Sequence, residues 1–308
     1  MEKVAYVFPG QGSQAVGMLA DLANDNEIVA QTFAQASDAL GYDLWALVSQ
    51  GPAEQLNQTD KTQPALLTAS VAIWRAIEQT GAVKPTILAG HSLGEYSALV
   101  CAGVIEFADA VKLVELRGQL MQEAVPAGTG AMYAIIGLDN DGIQKACDDS
   151  AQGAVVSPVN YNSPGQVVIA GEKEAVERAA QACKDAGAKM AVALPVSVPS
   201  HCQLMKPAAD RLAEALAAIE FSTPAIKVIN NVDVACPDSA EAIKDALVRQ
   251  LYCPVRWSET VEAIAAEGIT QLVEVGPGKV LTGLAKRINR SLSAKVANDS
   301  ATVAALSE

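Results

Sequence analysis

Gly90-His91-Ser92-Leu93-Gly94 places a serine between two glycines, directly after the apolar run Thr86-Ile87-Leu88-Ala89 and directly before the helix-like run Glu95 to Cys101. Strand, sharp turn and helix are the context in which G-x-S-x-G reads as a nucleophile elbow. The glycines let strand and helix pass close together without Cβ clashes. The serine hydroxyl is then held above the sheet, beside helix N–H groups able to stabilise an oxyanion. A serine nucleophile needs a base, and the chain has two histidines, His91 and His201. Adjacent side chains diverge on a tight elbow, so His91 is expected to point away from Ser92, its ring hydrogen-bonded beside the strand. That leaves His201, in Ser197-Val198-Pro199-Ser200-His201, as the candidate base. The bland alternative for His201 is a hydrogen-bonded loop histidine.

Two further features bear on the chemistry. Arg117 falls in the same helical row as Phe107, Ala110, Val114 and Met121. An arginine on an apolar face needs a partner. Glu115 and Glu123 are not at i±3 or i±4, so the choice lies between a distant acid and a clamp for a substrate carboxylate. Gln11 follows the first apolar strand, where loops of doubly wound sheets line ligand sites. Its backbone N–H and that of Leu93 could form an oxyanion hole, or the surrounding glycines serve only the turn. Gly276-Pro277-Gly278-Lys279 lacks the residues of a Walker A loop and reads as a strand-to-helix turn. Lys286, Arg287 and Arg290 read as a solvated helix face. No acid between Ser92 and His201 stands out as a third triad member, which counts against a plain esterase.

These residues must be positioned by elements read from periodicity. Val4 to Phe8 and Thr86 to Gly90 are strand-like. Helical patterns cover Ile28 to Leu40, Ala65 to Ile77, Leu93 to Cys101 and Phe107 to Glu123. The alternation predicts a parallel sheet with helices on both faces. From Pro126 onward the order changes to β-α-β-β-α-β: Ala131 to Leu138, Asp141 to Ser150, Val155 to Asn160, Val167 to Ala170, Glu172 to Gly187 and Lys189 to Leu194, with a turn at Asn162-Ser163-Pro164-Gly165. That is the ferredoxin-like signature. The expected fold is therefore α/β, a hydrolase-like parallel-sheet core of residues 1–126 and 196–308 with a ferredoxin-like subdomain of residues 127–195 inserted. The core resumes with a helix from Met205 to Ile219, a strand from Ile226 to Ile229, helices from Ala240 to Leu251 and Glu259 to Glu267, and a strand from Gln271 to Val275. Ser92 precedes the insert and His201 follows it, so their meeting point would be a cleft between lobes.

Composition sets limits on partners. The 308 residues are 50% hydrophobic, enough for a large core, and carry 22 basic against 35 acidic side chains for a formal charge of −13. That excludes broad nucleic-acid binding, which needs a basic surface, while leaving room for an acidic partner on a local basic patch. Six scattered cysteines without C-x-x-C spacing support neither a zinc site nor a disulfide framework. No apolar run reaches membrane-spanning length and Met1-Glu2-Lys3-Val4 opens no signal peptide, so a cytoplasmic protein is expected.

Taken together, Phe8-Pro9-Gly10-Gln11-Gly12-Ser13-Gln14, Gly90 to Tyr96, Arg117-Gly118, Ser197 to His201 and Val275-Gly276-Pro277-Gly278 resemble the malonyl-CoA:acyl carrier protein transacylase family of bacterial fatty-acid synthesis. The motifs run in family order over essentially the whole chain. The resemblance implies that Ser92 is acylated, His201 is its base, Arg117 binds the free malonyl carboxylate, and Gln11 and Leu93 supply oxyanion donors. It also implies that a main-chain carbonyl, here of Gln250, orients His201, which accounts for the absent acid. Malonyl-CoA and acyl carrier protein would be the partners of a monomeric enzyme with no cofactor beyond the coenzyme A thioester it uses as substrate. A serine thioesterase or esterase is the enzymatic alternative, and a carrier-protein-binding module without catalysis is the other.

Overall fold

The computed structural model describes residues 3–196 and 198–307. Ser197, part of the His201 motif, lies outside them. The described residues form nine strands in two sheets. Strands β1 (Val4–Phe8), β2 (Ile87–Gly90), β7 (Lys227–Ile229), β8 (Gln271–Val275) and β9 (Ser293–Ala297) make a five-stranded sheet in the order β7-β2-β1-β8-β9, parallel throughout. Successive side chains of β1 go to opposite faces, and both faces are covered. Val4, Tyr6 and Phe8 join one core cluster, while Ala5 and Val7 join another with Trp257, Val261 and Ile264.

Strands β3 (Gly130–Ile136), β4 (Val156–Ser163), β5 (Gln166–Glu172) and β6 (Met190–Ala193) form a second, antiparallel sheet in the order β4-β5-β3-β6. With helices Asn140–Ala151 and Lys173–Asp185 this is the β-α-β-β-α-β unit that the sequence pattern predicts. Both helices pack on the face carrying Ile135, Val167 and Ile169. The opposite face, with Met132, Val168 and Ala170, packs on Cys202 of the large lobe. The small sheet is thus apolar on both sides, and its second face meets the chain beside His201. Backbone bonds Tyr161 N to Val255 O (2.9 Å) and Val255 N to Val159 O (2.8 Å) tie the lobes together.

Three local differences from the periodicity reading matter. β4 runs on through Asn162 and Ser163, with Ser163 paired to Gln166, so the turn is shorter than predicted. Ladder hydrogen bonds override the weak strand preference of Asn and Ser. The helix predicted over Ala65 to Ile77 spans Thr59–Thr80. Pro64 sits inside it, at a position where a proline supplies no N–H to the helix ladder and which sequence preference disfavours. The C-terminal region adds helix Val280–Ile288, β9 and helix Ser300–Ala304. β9 is a short edge strand of mixed polarity whose sole strand partner is β8, and no periodicity marks it. Among the described residues no helix is long and apolar enough to cross a membrane.

Candidate active site

The elbow forms where β2 ends against β1. Ser92 has φ 52° and ψ −110°, a conformation a serine adopts only when its surroundings enforce it. The enforcement is close packing. A Cβ on Gly94 would lie 2.1 Å from the Phe8 carbonyl oxygen, so helix Leu93–Cys101 can start this close to β1 only with glycine there. Asn231, fully buried just after β7, clamps the turn from the other side. Its Oδ1 accepts from the Ser92 N–H at 2.7 Å and its Nδ2 donates to the Gly90 carbonyl at 2.7 Å.

His201 reaches this turn from beyond the small lobe. It is 3% exposed and also has positive φ, 63°. Its Nδ1 lies 2.6 Å from the Gln250 carbonyl oxygen and its Nε2 lies 2.8 Å from Ser92 Oγ. A carbonyl only accepts, so Nδ1 carries the proton. Nε2 is then unprotonated and accepts from the Ser92 hydroxyl, the arrangement of a base ready to deprotonate its neighbour. Burial, and then the positive charge of Arg117, push the His201 imidazole down to about 3, so it is neutral at physiological pH.

His91 turns away from Ser92 Oγ, as the elbow geometry predicts. Its Nε2 meets Asn162 Oδ1 at 2.8 Å, a contact from the large lobe to β4 of the small lobe, and its ring packs 5.6 Å from that of Trp257. Burial holds His91 below the usual imidazole range.

Arg117 is 1% exposed on helix Phe107–Ala124. The distant acid considered as its partner is not found. Among the described residues no carboxylate lies within ion-pair distance of it. Its Nη1 donates to Gln63 Oε1 at 2.8 Å, and its Nη2 donates to Gln250 Oε1 at 2.9 Å and to Ser92 Oγ at 3.3 Å. Gly118 makes the Gln63 contact possible, because a Cβ there would lie 2.6 Å from the Asp60 Cα on the facing helix. The guanidinium therefore points at the serine with donors to spare.

Gln11 and Leu93 both line the same cleft, with Ser92, Arg117 and His201. Among the described residues neither backbone N–H is taken by an intramolecular acceptor. Met121, Met132, Leu194 and Val198 supply the apolar part of the lining. The volume of this cleft, which is open to solvent on one side, is about 100 Å³. By contrast, Lys286, Arg287 and Arg290 are exposed away from the serine, with Arg287 donating to Gln166 across the lobes.

Sequence reasoning missed Gln63, Glu95, Asn162 and Asn231. Glu95 is 2% exposed, and its Oε2 accepts from the Asn231 N–H at 2.9 Å and from Gln250 Nε2 at 2.8 Å. Burial pushes its carboxyl up to about 7, against those two hydrogen bonds. A signal existed for two of the four. Glu95 lies within the elbow motif, and Asn231 follows a parallel strand at its C-terminal end, where sites of such sheets gather. Gln63 and Asn162 lay where the helix start and the turn were misread.

Comparison with known proteins gives the chain a family. The family model for the acyl transferase domain matches residues 5–306. The malonyl CoA-acyl carrier protein transacylase of Salmonella typhimurium is 68% identical over 305 residues, covering 99% of each chain. That of Escherichia coli K12 is 67% identical over 308 residues, covering 100% of each. Among solved structures, an acyl carrier protein S-malonyltransferase from Vibrio cholerae superposes with a TM-score of 0.97 at 68% identity, covering 99% of this chain and 100% of that one. A malonyl-transacylase in complex with a type II PKS acyl-carrier protein also superposes with a TM-score of 0.97, at 68% identity and 98% coverage of each. The chain belongs to the acyl transferase domain family, among its malonyl CoA-acyl carrier protein transacylases.

Proposed function

We propose that this chain transfers a malonyl group from coenzyme A to the phosphopantetheine thiol of acyl carrier protein, by a ping-pong route through a malonyl-serine, in fatty-acid synthesis. The observation that carries the proposal is the 2.8 Å approach of His201 Nε2 to Ser92 Oγ on a strained elbow, in a chain so similar to malonyl transacylases. In the first half-reaction Ser92 Oγ attacks the malonyl thioester carbonyl as His201 takes its proton. The oxyanion is received by the backbone N–H groups of Gln11 and Leu93, with the positive end of helix Leu93–Cys101 behind them. On collapse, the C–S bond breaks and His201 protonates the departing coenzyme A thiolate. In the second, His201 takes the carrier thiol's proton, the thiolate attacks the acyl-serine carbonyl, and on collapse the ester C–O bond breaks as His201 returns the proton to Ser92 Oγ. The Gln250 carbonyl holds the imidazole in the required tautomer through both halves.

Arg117 binds the free carboxylate of the malonyl group, which supports selection of a short diacid. The small volume of the cleft supports a short acyl chain. In this reading residues 127–195 serve as the second wall of the cleft rather than as a separate module.

Intact-protein mass spectrometry tests the proposal. Incubation with malonyl-CoA should add one malonyl group at Ser92, and addition of holo carrier protein should remove it with malonyl carrier protein as product. Rapid hydrolysis without transfer would make the chain a thioesterase, and no adduct on Ser92 would make it a carrier-binding module.

A further inference from the structure

Burying an arginine without a carboxylate is costly, and a partner acid is the ordinary remedy. Arg117 is surrounded instead by neutral acceptors, Gln63 Oε1, Gln250 Oε1 and Ser92 Oγ. Three of its five N–H donors are engaged, and Nε is buried with no partner. Among the described residues the carboxyl group that acts on this cluster is Glu95, and the Gln250 amide bridges the two. Its Oε1 accepts from Arg117 at 2.9 Å while its Nε2 donates to Glu95 at 2.8 Å. The same Glu95 Oε2 also accepts from the Asn231 N–H at 2.9 Å. A buried acid and a buried base are thus kept from pairing by an amide that satisfies both.

We propose that the side-chain amides of Gln63 and Gln250 determine acyl-group selectivity, by holding Arg117 in place without neutralising it. The Gln250 amide acts as a spacer against Glu95. Its role is distinct from that of its main-chain carbonyl, which faces His201. Both glutamines are positioning residues and act through Arg117. An amide fixes the guanidinium as well as a carboxylate would, but leaves its net charge for the free carboxylate of the incoming acyl group. A diacid then supplies the missing counter-charge, and a neutral acyl group leaves the arginine unmatched. With a carboxylate at either position, Arg117 would be matched before substrate arrived and a diacid would meet repulsion.

The inference rests on the malonyl-transfer reading above, and the test separates the two. Single-turnover acylation of Ser92 by malonyl-CoA and by acetyl-CoA is measured for the full chain and its variants, giving a malonyl-to-acetyl ratio of kcat/KM. Gln63→Glu is expected to lower that ratio by ~10²-fold, with acetyl transfer retained. Gln250→Met, which keeps the main-chain carbonyl, is expected to lower it in the same direction. Gln250→Met combined with Glu95→Gln is expected to recover most of the loss, because the carboxylate that pairs with Arg117 is gone. A merely structural role would depress both donors together and would not be rescued by Glu95→Gln. If Gln63→Glu fails to fold, the Gln250 series gives the same readout. A wild-type chain that accepts no malonyl group overturns the functional reading itself. A wild type that is acylated, with ratios in the variants within about threefold of its own, overturns the inference alone.

Discussion

His201 Nδ1 lies 2.6 Å from the carbonyl oxygen of Gln250, and a neutral dipole therefore occupies the place an aspartate takes in a serine–histidine–aspartate triad. A carbonyl fixes tautomer and ring orientation but supplies no negative charge to stabilise an imidazolium. Burial, and then the charge of nearby Arg117, drive the resting imidazole far below its ordinary range. The site holds the His201 imidazole neutral rather than poised between two charge states.

That relationship predicts the pH dependence of acylation. His201 sits at about 3, below its ordinary 6.5, so lowering the pH from 8 to 5 does not protonate it in the folded enzyme. In the Glu95→Gln variant, which lacks the neighbouring carboxyl that titrates at about 7, the rate of Ser92 acylation should be flat across that range, with no fall centred near 6.5. Stopped-flow acylation at constant ionic strength checks it, and a fall with a midpoint near 6.5 contradicts the buried, arginine-facing imidazole. His201→Ala should slow acylation by ~10²–10⁴-fold at every pH.

Arg117→Ala should reduce kcat/KM for malonyl-CoA by ~10²-fold or more while leaving measurable acetyl transfer, because only the diacid loses a contact. Arg117→Lys should resemble it, since a single ammonium cannot span Gln63 and Gln250 as the planar fork does. Steady-state assays with both donors decide the matter, and unchanged selectivity in either variant removes the clamp.

Glu95 governs a different pH effect, on stability. Its folded-state value of about 7 lies above the ordinary 4.5. The folded chain therefore binds the proton more tightly, and the contribution is fully present below about 4.5 and lost as pH rises through about 7. Glu95→Gln abolishes this titration. Thermal midpoints of wild type and variant should thus diverge between pH 5 and 8, with the variant gaining relative to wild type as pH rises. Parallel curves across that range contradict the assignment.

Asn231→Ala should remove the acceptor for the Ser92 N–H and the donor to the Gly90 carbonyl, leaving both backbone groups unsatisfied inside the protein. A loss of ~2–4 kcal/mol in unfolding free energy is expected. Acylation should slow as the elbow relaxes. Urea denaturation and single-turnover acylation measure the two effects separately. An active variant of wild-type stability would show that the strained turn holds itself.

Gly94→Ala is the severest substitution foreseen. A new Cβ would stand 2.1 Å from the Phe8 carbonyl oxygen and 2.9 Å from the Pro9 carbonyl oxygen, both backbone atoms that cannot rotate away. More than about 3 kcal/mol of destabilisation is expected, or failure to fold. Circular dichroism and expression yield read the outcome, and a soluble variant with normal acylation would contradict the contact.

Some features of this protein were fixed by local chemistry and could be read in one dimension. Gly90-His91-Ser92-Leu93-Gly94 specifies its own turn, since two glycines and an apolar strand leave few other conformations. The β-α-β-β-α-β order of the small lobe follows from alternating periods of two and 3.6. Ser92 and His201 were legible because a chain with two histidines offers few bases. Other features arise only where distant segments meet. No periodicity could show that Asn231 closes the elbow, that Asn162 reaches His91 across the lobes, or that β9 forms on the edge of β8. The partner of Arg117 is the clearest instance. The charge pattern along the chain leaves a distant acid and a substrate carboxylate both open, whereas packing at Gly118 brings up Gln63, and the end of helix Ala240–Gln250 brings up Gln250. Uncharged partners leave no mark on a charge pattern, so the neutrality of that environment was decided by the tertiary structure alone.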